Sequence, residues 1–373
     1  MSPLDDVDLT VVTPTITPAF AFREGASCML RRDCGYLWLL VLLWSLGLAP
    51  ADGAAQMVKL QGSGASFPFP LYGRWFKEYG KVNTHVQVDY QAKGSGAGIK
   101  DFVNKTVDFA ASDAAMTDEE IASVDVGVQL LPMTAGAIVL AYNLPTGPKD
   151  LKLSREAYTK IFLGQITTWN DPVIATANPG ATLPATAITV VRRADSSGTT
   201  FVFTQHLSAV SAAWTHGPGA GMTVNWPSTD KMVASPKNDG VTATIKQTPG
   251  AIGYIEYGFA KLAKLPMAGL ENKAGAFVEP GLASGQAALA SVTLPADLRA
   301  WLPDPDGAAA YPIVTYTWML FYKKYSDPKM AEAIRDVVKW CLTEGQKMSD
   351  AMGYIPLPSQ VVEVVAKAAN NIQ

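Results

Sequence analysis

One local arrangement recurs along this chain: an apolar strand, a turn of glycine and serine, then a helix-forming run. Val86-Gln87-Val88-Asp89-Tyr90 alternates like a half-buried strand and runs into Gln91-Ala92-Lys93-Gly94-Ser95-Gly96-Ala97-Gly98, after which Ile99 to Asn104 reads as a short helix. Val107 to Ala111 is a second strand, ending at Ser112-Asp113, and Ala137 to Tyr142 is a continuously apolar strand of the fully buried type. Ile188 to Arg192 is another, followed by a polar turn and a helical run from Phe201 to Leu207. Strands that alternate with helices predict βαβ units around parallel sheets, and therefore an α/β fold.

A chain of 373 residues suggests about two domains. Two segments read as crossovers between them, the two strand-like hinges of a bilobed protein. Leu131-Pro132-Met133-Thr134-Ala135-Gly136 precedes the apolar strand at 137, and Ala310-Tyr311-Pro312-Ile313-Val314 precedes Thr315 to Tyr322. The expected division is residues 57–132 plus 315–373 in lobe I and 133–314 in lobe II. Asp327 to Met348 has the pattern of a long helix, opened by Asp-Pro. Residues 264–310, rich in Gly, Ala and Pro and weakly periodic, are expected to be a surface stretch.

The apolar run Trp38 to Ala49 is shorter than the roughly 20 residues a spanning helix needs. Arg31-Arg32 before it and Pro50-Ala51-Asp52-Gly53-Ala54-Ala55 after it complete a cleavable export signal over about 29–55. Met29-Leu30-Arg31-Arg32 would make an ordinary start, so residues 1–28 are read as an upstream misassigned start, with a genuine extended leader as the alternative. The whole chain carries 30 Lys+Arg and 33 Asp+Glu, a net charge of −3. Removing residues 1–55 takes away three basic and six acidic groups, leaving 27 of each sign. A neutral mature chain has no polybasic footprint for nucleic acid. Cys28 and Cys34 leave with the leader, so Cys341 stands alone and the exported chain has no intrachain disulfide.

Three segments place a hydroxyl among glycines where a helix is predicted to start: Gly62-Ser63-Gly64-Ala65-Ser66-Phe67-Pro68, Gly94-Ser95-Gly96-Ala97-Gly98 and Asp195-Ser196-Ser197-Gly198-Thr199-Thr200. Helix N-termini offer unpaired N–H groups at the positive end of the dipole, and so suit oxyanions. Pro68 fits a first helical turn, where a missing N–H costs nothing. Any single such turn is an ordinary N-cap; three of them with a nearby arginine form a candidate oxyanion site. There is no G-x-x-x-x-G-K-[ST] phosphate loop and no G-x-S-x-G elbow. The three histidines, His85, His206 and His216, lack ligand or triad spacing, and no metal, cofactor or catalytic residue is expected.

The segments GSGASFP, YQAKGSGAG, VDFAASDA, IFLGQITTWND, VVRRADSSGTTFVFT, NDG and PGAIGYIEY, in that order, resemble the PstS family, the periplasmic phosphate-binding proteins of high-affinity phosphate ABC transporters. The resemblance implies a bilobed class II periplasmic binding-protein fold, two α/β lobes joined by a two-strand hinge and closing on one dehydrated phosphate. It assigns phosphate contacts to Ser66 and Phe67 in GASFP, Ser95 in GSGAG, Asp113 in AASDA, and Arg193, Ser197, Gly198 and Thr199 in RRADSSGT. Asp195 would hold Arg193 without touching the ligand. Ser66 stands where relatives often have Thr, and Ser196 where Gly is common.

Such a site has a physical basis for selectivity. Inorganic phosphate keeps a proton at neutral pH and sulfate does not, while an ionised Asp113 can only accept hydrogen bonds. The function implied is an exported receptor, a monomer that delivers inorganic phosphate to the membrane permease and ATPase subunits of an ABC transporter. Two other readings compete: a receptor for another tetrahedral oxyanion such as sulfate, and a secreted phosphatase. Asp113 argues against the first, and the absence of a visible nucleophile–base pair or metal cluster argues against the second.

Overall fold

The computed structural model describes residues 57–373, and the leader expected over residues 1–55 lies outside them. The chain opens with Val58–Gly64 (β1), Phe69–Val82 (α1), Val86–Ala92 (β2), Ser95–Val103 (α2), Phe109–Ser112 (β3) and Asp118–Ala122 (α3). Val128–Tyr142 (β4), Lys152–Leu153 (β5), Arg155–Phe162 (α4), Pro172–Ala177 (α5), Thr189–Arg193 (β6), Gly198–Val210 (α6) and Ala212–His216 (α7) follow. Next come Met232–Ser235 (β7), Lys237–Gln247 (α8), Ala251–Glu256 (β8), Tyr257–Ala263 (α9), Gly269–Glu271 (β9), Phe277–Val278 (β10) and Leu282–Leu289 (α10). Val314–Tyr322 (β11), Pro328–Thr343 (α11) and Ser359–Ala369 (α12) complete the set.

The strands order as β2-β1-β3-β11-β4-β8-β6-β7, with a small separate sheet β10-β9-β5. The βαβ expectation holds at both flanks, where β1 runs parallel to β2 and β3, and β6 runs parallel to β7 and β8. It fails at the centre, because β11 lies antiparallel to β3 and β4, and β4 antiparallel to β8. The central β4 pairs with β11 as far as Ala137 and with β8 from Ile138 onward. One strand therefore belongs to two half-sheets.

All 15 residues of β4 and all nine of β11 are buried, since both faces of the sheet are covered. The segment Leu131 to Gly136, expected to be a strand-like hinge leading into the strand at 137, is continuous with that strand as part of β4. Pro132 and Thr134 break the apolar pattern, which is why hinge and strand read as separate segments. Pro132 is tolerated because the register with β11 shifts between Thr317 and Trp318, a bulge at which a missing donor is not felt. The Thr134 hydroxyl is satisfied by the Ile355 carbonyl at 3.2 Å.

Helices cover the sheet with one apolar face each. Helix α1 buries Leu71, Tyr72, Trp75, Phe76 and Tyr79, and α11 buries Ile334, Val337, Val338, Cys341 and Leu342. Pro68 is the N-cap of α1 and not part of its first turn, where Pro70 stands instead. The tail helix ends at Thr343, short of Met348, and passes into a 3₁₀ turn. The stretch 264–310 also differs from expectation: Ala268, Leu270, Ala288, Leu289, Leu298 and Leu302 are buried in it. Asn272 pins it, donating to the carbonyls of Gly307 and Ala310 at 3.0 Å and accepting from Ala274 and Ala276 N–H. Small residues there permit close packing and do not signal exposure. Among the described residues no helix is long and apolar enough to cross a membrane.

Helix α2 approaches β1 so closely that a Cβ on Gly98 would meet the Ser63 carbonyl oxygen at 2.9 Å and overlap the Gly64 Cα. Both neighbours are backbone and cannot rotate away. Gly98→Ala is expected to lower the urea midpoint, by about 1–3 kcal/mol of stability; an unchanged midpoint would mean that α2 does not pack on β1 this way.

Candidate functional site

The strand ends and helix starts that the turns connect converge on one seam between the half-sheets. Ser66 follows β1, Ser95 opens α2 after β2, and Asp113 follows β3. From the other side, Arg193 ends β6, Gly198 and Thr199 open α6, Asn238 lies in the first turn of α8 after β7, and Glu256 ends β8. In parallel α/β sheets ligand sites lie at these C-terminal strand ends.

The seam is shielded from bulk solvent and its contents are polar. Ser66, Ser95, Asp113, Arg193, Ser197, Thr199, Asn238, Glu256 and Thr317 are each at most 3% exposed. The two sides touch through hydrogen bonds. Gly96 N–H donates to the Ser196 carbonyl at 3.1 Å, and the backbone and side-chain N–H groups of Asn238 donate to Ser66 Oγ at 3.2 and 3.1 Å. Thr199 Oγ1 reaches Asp113 Oδ2 at 3.5 Å, a weak contact at that length. At Gly94, with φ +100°, a Cβ would stand 2.5 Å from Asp195 Oδ2, so glycine is needed both for the backbone and for the approach of the two sides.

Asp113 is the carboxyl at the centre of the seam. Its Oδ1 accepts the Thr317 hydroxyl at 2.8 Å, and its backbone N–H donates to Ser95 Oγ at 3.2 Å. Thr317 sits at the β11 bulge, so the same irregularity that admits Pro132 stands beside a hydroxyl bonded to the acid. Burial pushes the Asp113 carboxyl up to about 7, although Thr317, the Arg193 charge, Thr199 and Ser95 all act to lower it.

Arg193 carries the positive charge. Asp195 holds it as a fork: Nε donates to Oδ1 at 2.9 Å, and Nη2 donates to Oδ2. Burial raises the Asp195 carboxyl, but the Arg193 hydrogen bond and charge, with the N–H of Lys237, outweigh it and hold the group below its usual range. The third guanidinium nitrogen, Nη1, is buried and has no partner among the described residues. A charged donor in that condition costs several kcal/mol unless something accepts from it.

Every residue expected at the site lies at this seam or directly behind it. Ser197 is the N-cap of α6, and its hydroxyl accepts from Thr200 N–H at 3.1 Å. The first-turn N–H groups at Gly198 and Thr199 have no acceptor within the helix. A Cβ at Gly198 would meet Asp113 N at 2.9 Å, so that position admits no side chain. The ring of Phe67 packs edge-on against Tyr354, whose hydroxyl donates to the Phe67 carbonyl at 2.6 Å.

Three features went unread in the sequence. Asn238 lies in NDG, a segment noted without a role. Thr317 looked like one more residue of an apolar strand. Tyr254 sits behind Arg193, taking its backbone N–H at 3.1 Å and bonding Thr200 Oγ1 at 2.7 Å. Only three-dimensional adjacency marks these residues.

Residues 49–344 match the model of the PBP superfamily domain. The chain is 39% identical over 315 residues to "Phosphate-binding protein PstS" of Pasteurella multocida, covering 83% of this chain and 89% of that one. It is 39% identical over 338 residues to the protein of the same name from Methanocaldococcus jannaschii, covering 84% and 86%. The chain belongs to the PstS family. Among solved structures, the periplasmic phosphate-binding protein PfluDING bound with phosphate superposes with a TM-score of 0.69 at 23% identity, covering 83% of this chain and 93% of that one. A phosphate-binding protein from Stenotrophomonas maltophilia gives 0.69 at 20% identity with the same coverage. At such identities these two establish the bilobed binding-protein fold expected of a PstS chain.

The raised Asp113 carboxyl has a consequence for stability. The folded, anion-free protein holds a proton that the unfolded chain releases near pH 4, so stability falls as pH rises from about 4 to about 7. Glu256, also raised by burial, slopes the same way. Asp113→Asn is expected to flatten part of this slope in urea melts of anion-free protein, by a few kcal/mol across the window. Identical pH profiles for the two proteins would refute the buried, protonated state.

Proposed function

We propose that this protein is an extracytoplasmic receptor that binds inorganic phosphate between two lobes and delivers it to an ABC permease. Arg193 Nη1 carries the reading: it is a buried charged donor with no partner among the described residues, set in the same solvent-shielded seam as a carboxyl of raised affinity for protons. The contacts are those expected above. Ser66, Ser95, Ser197 and Thr199 supply hydroxyls, Phe67, Gly198 and Thr199 supply backbone N–H groups, Arg193 supplies the charge, and Asp113 accepts from the ligand.

A phosphate that still carries a proton brings to Asp113 the proton the carboxyl otherwise has to hold itself. Its P–OH donates to the ionised carboxylate, and the charge on the remaining oxygens falls to Arg193 and the α6 N-terminus. Sulfate brings no proton. It fits only if Asp113 is itself protonated, so at high pH it meets a buried like charge costing several kcal/mol. The relatives named above are called phosphate-binding, which agrees with this chemistry.

The lobes are residues 57–132 plus 315–373 and residues 133–314, and they move about β4 and β11. Support comes from β4 exchanging its partner β11 for β8 between Ala137 and Ile138. The chain acts as a monomer, exported to the periplasm by its cleaved signal, and it is not an enzyme. His206 has no base to offer: burial pushes it down to about 4, and its ring bonds the Tyr158 hydroxyl at 2.9 Å and the Pro303 carbonyl at 2.7 Å.

The test is a titration of anion-stripped protein with phosphate against sulfate. At pH 8 a hundredfold excess of sulfate is expected to leave phosphate bound, and sulfate is expected to compete better as pH falls below about 7. Asp113→Asn, whose carboxamide can donate to either anion, is expected to narrow the preference. Equal binding of both anions by the unmutated protein, or of neither, would overturn the assignment. A chromogenic phosphate ester incubated with the protein is expected to release no product above buffer, and turnover would establish the phosphatase reading instead.

A further inference from the structure

Asn238 is completely buried and uses every polar atom of its side chain. Its Oδ1 accepts the backbone N–H of Glu256 at 3.0 Å. A backbone N–H can only donate, so this contact settles which end of the carboxamide is oxygen. The Nδ2 end is thereby turned to two hydroxyls on opposite sides of the seam, Ser66 Oγ at 3.1 Å and Thr199 Oγ1 at 3.3 Å. The backbone N–H of Asn238 adds a second bond to Ser66 Oγ at 3.2 Å.

These bonds have a polarity. A serine hydroxyl has two acceptor lone pairs and one proton. Both acceptor positions of Ser66 are taken by Asn238, so its proton can go only to a third group. Thr199 Oγ1 accepts from Asn238 in the same way, which leaves its proton for an acceptor in the seam, where Asp113 Oδ2 already stands at 3.5 Å. Lys237, immediately before, adopts a left-handed backbone with φ 57°. That turn delivers two successive N–H groups to different places, the first to Asp195 Oδ1 at 2.9 Å and the second to Ser66.

We propose that Asn238 is a positioning residue that makes the Ser66 hydroxyl an obligatory donor to the bound anion and latches the two sides together once it is in place. The inference rests on the phosphate-receptor reading. It adds a residue that touches no ligand and yet sets both the direction of a ligand hydrogen bond and the lifetime of the closed state. Because the bonds to Ser66 cross the seam and exist only when the sides meet, their loss acts on escape of the anion and leaves its capture nearly unchanged.

The test is a double-mutant cycle in phosphate dissociation constants and stopped-flow rates, with Asn238→Ala, Ser66→Ala and the pair. Asn238→Ala is expected to raise the dissociation rate at least tenfold with little change in the association rate. If Asn238 acts through Ser66, the double variant binds about as weakly as the worse single variant, whereas independent structural damage makes the two losses multiply. Multiplying losses, or an unchanged dissociation rate in Asn238→Ala, would overturn the proposal. Should Asn238→Ala not fold, Asn238→Asp, which keeps the shape and the Oδ1 acceptor but loses the Nδ2 donors, is read in the same cycle. Failure of the unmutated protein to bind phosphate would instead strike the receptor reading, so the two failures are separable.

Discussion

The structure is organised around polar groups that have been taken out of water. Asp113, Arg193, Asn238 and Glu256 lie in a seam where none is more than 3% exposed, and each must find its partners in the protein or in what the protein binds. Their mutual hydrogen bonds draw the two half-sheets together: Asn238 reaches Ser66, Gly96 reaches Ser196, and Thr199 reaches Asp113. What those bonds leave unsatisfied is a guanidinium N–H and the first-turn N–H groups of α6, which together describe an oxyanion.

The scaffold makes this possible by giving one strand, β4, to both halves. With β4 paired first to β11 and then to β8, Ser66, Ser95 and Asp113 stand on one half-sheet and Arg193, Ser197 and Thr199 on the other, the arrangement that the proposed closure about β4 requires. The bulge beside Thr317 sits on the β4–β11 pair and adjoins the residue that bonds Asp113, so the register of that pair and the acid's surroundings are linked by two residues of β11.

Selectivity on this account is a matter of proton inventory. The mature chain is expected to be neutral overall, so in the proposed receptor discrimination falls to local groups. An acid whose burial raises it to about 7 is poised so that a ligand carrying a proton relieves a cost, while a ligand without one adds to it. Arg193 is oriented by Asp195, which engages two of its three guanidinium nitrogens and leaves Nη1 buried without a partner among the described residues. Asn238 does for a hydroxyl what Asp195 does for the guanidinium: it consumes the bonds pointing the wrong way.

Much of this was legible in the order of residues. Strand–turn–helix alternation specified an α/β fold because periodicity is a local property of the chain, and glycine with serine at helix starts specified oxyanion chemistry because a helix's free N–H groups follow from its geometry alone. Ser66, Ser95, Asp113, Arg193 and Thr199 could be named because short motifs hold each one. That the hinge through Pro132 and the strand after it form one continuous β4 was not legible, since a proline reads as a break unless a partner strand bulges to meet it. Nor was the burial of 264–310, where glycine and alanine mark close packing as readily as exposure. The partners of these residues, Thr317 for Asp113, Tyr254 for Arg193 and Asn238 for Ser66, are separated from them by 204, 61 and 172 positions. Sequence by itself determined which groups were candidates for an oxyanion; tertiary structure decided which of their bonds would be spent on the protein, because a hydrogen bond's direction depends on neighbours that only folding brings within hydrogen-bonding distance.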